Sequence, residues 1–210
     1  MKKFLALILS VAAFAFAEPY THDGFFINLQ YGAGLSKQET NRFDGNKIES
    51  DNDFSQELVV KVGGALNQTV VLHGAFWFSV GRNDFNVYTD NGDWNSTARI
   101  TVLSCILGPG VTIYPFHYGV MSNLFFSGTV GFAVFTSDDD DDDWLRYNYE
   151  SFSATGVGID LEVGKEWWVG ENWSLGIALS YNLIVADDDD YSNVKWTSNS
   201  FHVRFTASRS

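Results

Sequence analysis

The segment Trp173-Ser174-Leu175-Gly176-Ile177-Ala178-Leu179-Ser180-Tyr181-Asn182-Leu183 alternates without a break. Trp173, Leu175, Ile177, Leu179, Tyr181 and Leu183 form one set of positions; Ser174, Gly176, Ala178, Ser180 and Asn182 form the other. Successive side chains of an extended chain point to opposite faces, so the two sets lie on opposite sides of one strand. One side suits hydrocarbon. The other suits a crowded polar interior, because Ser, Gly and Ala are poor clothing for a strand that faces water.

The same alternation recurs along the chain and predicts eight strands, at residues 25–36, 54–64, 69–81, 99–114, 123–136, 153–165, 173–183 and 200–207. Most reach ten residues or more, near the ~9–11 that a tilted membrane strand requires and beyond the ~5–6 usual in globular sheets. Ile106 interrupts the polar set of the fourth strand, and Pro109 between Gly108 and Gly110 predicts a bulge there. The gaps near 37–52, 82–98, 138–151 and 184–199 are long and polar, whereas those near 65–68, 115–122 and 166–172 are shorter. This alternation is that of an outer-membrane barrel with long extracellular loops and short periplasmic turns.

The first residues read as a targeting segment. Lys2 and Lys3 precede an apolar run from Phe4 to Ala17, and Ala15-Phe16-Ala17 fits a small-x-small cleavage site before Glu18. The expected division is a signal peptide at 1–17 and a barrel domain at 18–210. Removing Lys2 and Lys3 from the 13 basic residues leaves 11 against 26 acidic ones, a net charge near −15. That balance argues against nucleic acid as a partner, since phosphate contacts are made by cations. The four long gaps hold 18 of the 26 acidic residues, which places most of the negative charge at one end. Cys105 is alone, so an internal disulfide is excluded. Tyr114, Phe116, Tyr118, Trp167, Trp168 and Trp173 cluster at turns and strand ends, where amphipathic rings collect at a membrane–water interface.

Three segments carry a resemblance: Leu107-Gly108-Pro109-Gly110-Val111-Thr112-Ile113-Tyr114, then Asn123 to Phe132, then Val163-Gly164-Lys165-Glu166-Trp167-Trp168-Val169-Gly170. With them the chain resembles the small eight-stranded outer-membrane β-barrel family, of the OmpA-like transmembrane type. The resemblance implies an all-β, antiparallel, up-and-down transmembrane barrel. It further implies insertion by the outer-membrane assembly machinery and location in a Gram-negative-type outer membrane.

Charges of both signs fall on the inward positions: Glu57, Lys61, Asp160, Glu162 and Arg204, with His73 and His202. An eight-stranded interior is just wide enough for side chains to fill. A packed ion-pair network is therefore the expectation, with a narrow proton- or ion-conducting path as its rival. The acidic runs are Asp138, Asp139, Asp140, Asp141, Asp142 and Asp143, and Asp187, Asp188, Asp189 and Asp190. Consecutive carboxylates repel one another and favour a hydrated loop. Oxygen-rich clusters also suit Ca²⁺ or Mg²⁺, so a weak surface site bridging to lipopolysaccharide phosphates is the alternative; no other cofactor is expected. Trp94, Trp144, Tyr147, Tyr149, Tyr191 and Trp196 are candidate anchors for an extracellular protein or glycan, or else packing residues. His22, His73, His117 and His202 suggest no hydrolase pairing near an outer strand end, and glycine-flanked serine elbows are lacking. The expected function is non-enzymatic: a structural or surface-interaction barrel displaying acidic loops. A small or gated passive pore is one alternative. A soluble, lipocalin-like ligand-binding barrel is the other, and it requires the opposite sidedness.

Overall fold

A computed structural model describes residues 22, 24–40, 47–88, 94–139, 153–189 and 194–209. The strands are β1 (Phe25–Thr40), β2 (Lys47–Ser50), β3 (Asp53–Ala65), β4 (Val70–Tyr88), β5 (Trp94–Ile113), β6 (Leu124–Asp139), β7 (Ser153–Trp168), β8 (Trp173–Asp188) and β9 (Lys195–Arg209). Neighbours pair antiparallel around one sheet, and β1 closes it against β9 from Ile27↔Arg209 to Thr40↔Trp196. Closure removes the free edges that an open sheet would present.

The short strand β2 is a fragment of one of eight staves. Ser36 pairs Asp53 and Glu39 pairs Glu49, so β1 advances three residues while the opposing chain advances four. On the other flank Ser55 pairs Gly81 and Ser50 pairs Phe85, again with one residue in excess. β2 and β3 are thus a single stave broken by a one-residue bulge near Asp51 and Asn52. Eight staves result, as the alternation predicts.

Sidedness follows the sequence. Leu175, Ile177 and Leu179 are 50%, 49% and 61% exposed, whereas Ser174, Ser180 and Asn182 are 0%, 3% and 1% exposed. The exterior apolar belt runs on β8 from Leu175 to Val185 and on β1 from Phe25 to Leu35. Ten residues of tilted strand correspond to roughly 25 Å along the barrel axis, the height of a hydrocarbon core. A lipocalin-like barrel would bury these residues. The reverse arrangement excludes it.

Two expectations need correction. Pairing continues well into the ranges read as long loops: β1 reaches Thr40, the β4–β5 hairpin reaches Tyr88 and Trp94, and β8 reaches Asp188. Polar residues there mark the strand's exit from the apolar belt, not its end, because a backbone ladder does not depend on outward side chains. Pro109 does not mark a bulge either. Leu107 pairs Phe132 and Gly110 pairs Thr129, so the register is identical on both sides of it. The two rungs between are missing, and both would need an N–H at position 109 donating to Val130; the pairing of Pro109 with Gly74 on β4 is intact.

Candidate functional site

The candidate site is the barrel's charged middle layer. Alternation turns Lys61 and Glu57 of β3, Asp160 and Glu162 of β7, and Arg204 and His202 of β9 inward, and all six are buried. Arg204 engages three carboxylates. Its Nε and Nη2 donate to Glu57 at 2.5 and 3.0 Å, and its Nη2 and Nη1 donate to Asp160 at 2.8 and 3.2 Å. Nη1 also donates to Glu162 at 3.3 Å. Lys61 Nζ donates to Glu162 at 2.5 Å and to Ser127 at 2.9 Å. Neutral donors complete the shells: Trp77 Nε1 to Glu57, Asn182 Nδ2 to Asp160 and Gln30 Nε2 to Glu162. Buried charges persist only when paired and hydrogen-bonded in this manner. The packed network is what the residues form.

Room for it comes from β1. Gly32 pairs Glu57 on one side and Arg204 on the other. A Cβ at Gly32 would lie 2.5 Å from Glu57 Oε1 and 3.0 Å from Arg204 Cγ. We expect Gly32→Val to cost about 1–3 kcal/mol by overpacking, read from the urea midpoint of the folded, heat-modifiable gel form. Ala33→Val, on the outward face, is expected to leave that midpoint unchanged.

One arrangement escapes a linear reading. His202 Nε2 lies 2.8 Å from Ser55 Oγ, and His202 Nδ1 lies 3.1 Å from Glu57 Oε2. Ser55 and His202 sit on β3 and β9 but meet across Gly34 of β1, which pairs both and has no side chain to separate them. The distances are those of a Ser–His–carboxylate hydrolase relay. The surroundings are not. Ser55 is 1% exposed, and Glu57 is already committed to Arg204. His202 Nδ1 makes no hydrogen bond at its 3.1 Å approach to Glu57, so the three residues are neighbours within the buried network and not a formed relay.

The layer lies between two apolar clusters. Toward the acidic end, Trp77, Phe85, Ile106, Phe135, Ile184 and Trp196 pack together. Ile106, which interrupts the polar set of its strand, is a member of that cluster and fills the space over Gly158, where a Cβ would lie 2.5 Å from its Cγ1. Trp196 is likewise inside. It packs on Phe85 and Phe135 and donates to Asp188 Oδ2 at 3.0 Å, so it is a core residue and not a loop anchor. The backbone of Trp94 is on β5; Trp144, Tyr147, Tyr149 and Tyr191 lie outside the described residues.

At the short-turn end Phe26, Val71, Tyr114, Phe125 and Ala178 form the second cluster. Tyr114 is buried there, which removes it from the expected interfacial ring, while Phe116, Tyr118 and Trp167 are exposed. His22 caps the cluster, stacked on Tyr114 at 3.6 Å between centroids and 5.0 Å from Trp168. Burial, and then the nearby His117, lowers the His22 pKa from 6.5 to about 3. The docked imidazole thus binds a proton less readily than a free one, so protonation favours release. Docking is fully favoured above pH 6.5 and weakens as pH falls from 6.5 toward 3. Hydrogen-exchange mass spectrometry of residues 22–26 is expected to show protection lost on acidification, and His22→Phe to keep it.

The remaining site candidates are placed as follows. Asp138 and Asp139 end β6, and Asp187 and Asp188 end β8. Asp187 lies 3.4 Å from Lys195 Nζ, and Asp189 accepts from Thr155 Oγ1 at 3.0 Å. Asp140, Asp141, Asp142, Asp143 and Asp190 lie outside the described residues. Among the described residues, groups of three or more metal-ligating side chains are absent. Cys105 faces outward from β5, half-buried and free.

Among solved structures, the outer membrane protein OprG from Pseudomonas aeruginosa is similar over 91% of this chain and 99% of its own, at 16% identity and a TM-score of 0.58. Neisserial surface protein A is similar over 86% and 96%, at 15% identity and a TM-score of 0.45. Ail, the attachment invasion locus protein of Yersinia pestis, is similar over 88% and 99%, at 12% identity and a TM-score of 0.46. No family model and no curated protein matches the chain. The likeness to OprG carries the fold: the chain has the architecture of the small outer-membrane β-barrels.

Proposed function

We propose that this protein is an integral, non-enzymatic barrel of a Gram-negative-type outer membrane, serving as a rigid support for the acidic segments at one end. The supporting observation is the filled axis. A paired charge layer lies between two apolar clusters, and its side chains are buried. Such an interior suits a static body better than a conduit, since a solvated path would leave the charged groups wet. Its partners on this reading are outer-membrane lipid and lipopolysaccharide, the assembly machinery that inserts it, and an extracellular protein or glycan met by the acidic end.

Planar-bilayer recording tests the reading against the passive pore. With insertion verified by heat-modifiable gel mobility, the expected trace is silent; discrete conductance steps would overturn the sealed-body proposal. The acidic runs Asp138–Asp143 and Asp187–Asp190 are proposed as a weak Ca²⁺ or Mg²⁺ site, on the ground that hard cations take carboxylate oxygens. Calcium titration of the detergent-solubilised barrel is expected to release heat and raise its melting temperature. Equal behaviour of a variant with these Asp residues changed to Asn would remove the site.

A further inference from the structure

The connection from Ile113 to Leu124 is the longest between described strands at the short-turn end, and it is an ordered one. Ser122 N donates to Gly119 O, Leu124 N to Met121 O and Asn123 N to Phe116 O, each at 3.1 Å. Gly119 and Asn123 take the left-handed conformation that closes it, with φ of 76° and 57°. Yet this fixed turn turns its apolar side chains outward. Tyr118 and Val120 are each 90% exposed, and Phe116 and Met121 are exposed as well. Large apolar side chains held in the open mark a surface that meets something other than water.

Lys165 shows which way the turn faces. It lies on the outward side of β7, between the exposed Val163 and Trp167, with its Nζ 5.8 Å from the Trp167 ring centroid. From there Nζ donates to the carbonyls of Val120 and Ser122, each at 2.7 Å. The turn is therefore tied to the belt-side wall of the barrel, beside a tryptophan at the belt's lower margin. Ile113 and Phe126, at the two roots of the turn, are exposed members of that belt. Rings and amphipathic lysines collect at this depth of a bilayer, where the stem is apolar and the head is wet.

We propose that the 115–122 turn is a lipid-contacting foot: Tyr118, Val120 and Met121 rest in the headgroup–acyl boundary of the leaflet at the short-turn end, and Lys165 holds the turn in that posture. The continuity of the turn with the belt selects lipid as the occupant. The proposal rests on the reading of the barrel as membrane-spanning, and its test separates the two.

Nitroxide labels are placed singly at Val120→Cys, Leu179→Cys and Asn67→Cys in a Cys105→Ser background, and the full chain is reconstituted in phosphatidylcholine–phosphatidylglycerol vesicles. Power saturation then compares accessibility to oxygen, which partitions into lipid, with accessibility to a water-soluble nickel chelate. The label at 120 is expected to show an oxygen-to-nickel ratio several-fold above that at 67, between the values at 67 and 179. Adding Lys165→Met is expected to move the ratio at 120 toward that at 67. A ratio at 120 equal to that at 67, with 179 still oxygen-accessible, overturns the foot while leaving the spanning barrel intact. Nickel access at 179 overturns the membrane reading itself. Low access to both reagents at 120 identifies contact with a second copy and also overturns the foot.

Discussion

Arg204→Met will lower the stability of the barrel by about 3–5 kcal/mol, the cost of removing one partner from a buried charge cluster. The reason is the number of groups left behind. Glu57 and Asp160 each lose two hydrogen bonds from the guanidinium, Glu162 loses one, and none of the three reaches water. Lys61 touches only Glu162 among the three carboxylates and cannot replace what is lost. The measurement is the urea midpoint of the folded form in lipid vesicles, followed by gel mobility. A companion variant adding Glu57→Gln and Asp160→Asn is expected to regain most of the loss, because neutral amides cost far less to leave partly paired. A change within about 0.5 kcal/mol for the single variant, the usual effect of an uninvolved surface position, would mean that the network contributes nothing.

The second large effect is expected on the opposite face. Leu179→Arg places a charge near the middle of the apolar belt and should cost about 2–4 kcal/mol in a bilayer. Thr197→Arg lies on the same outward side of β9 but above the belt, beyond Phe201 and Asn199, and should cost about 0–1 kcal/mol. Both are read by urea titration in the same vesicles. Equal costs at the two positions would sink the assignment of an apolar belt to hydrocarbon. In detergent the difference should shrink, because a micelle deforms around a charge more readily than a bilayer.

Sidedness was legible in the sequence because a period of two is local: Leu175, Ile177 and Leu179 declare their face without reference to any other strand. The inward charges were legible for the same reason. Strand ends were not, because polarity at residues such as Arg82, Asp84 and Asn86 signals departure from the belt and is silent about backbone pairing. Trp196 and Tyr114 looked like surface aromatics from their neighbours in sequence, yet each falls on the inward phase of its strand or strand end. Pro109 showed that a donor would be lost, but not that the register would survive the loss. The approach of Ser55 to His202 depends on two registers meeting at Gly34. Neither register is encoded in one strand alone, so the contact is defined only by the closed barrel.

The staves that continue past the belt give the molecule height. From Val80 to Tyr88 on β4, from Leu35 to Thr40 on β1 and from Val185 to Asp188 on β8, the paired wall stands roughly 8–20 Å above the hydrocarbon, allowing for tilt. At physiological ionic strength, electrostatic influence fades over about 8 Å. A carboxylate carried on that upper wall, such as Asp84 four residues beyond Val80 on β4, is thereby insulated from the anionic carpet of headgroups beneath, and an approaching molecule feels its field before it feels the bilayer's.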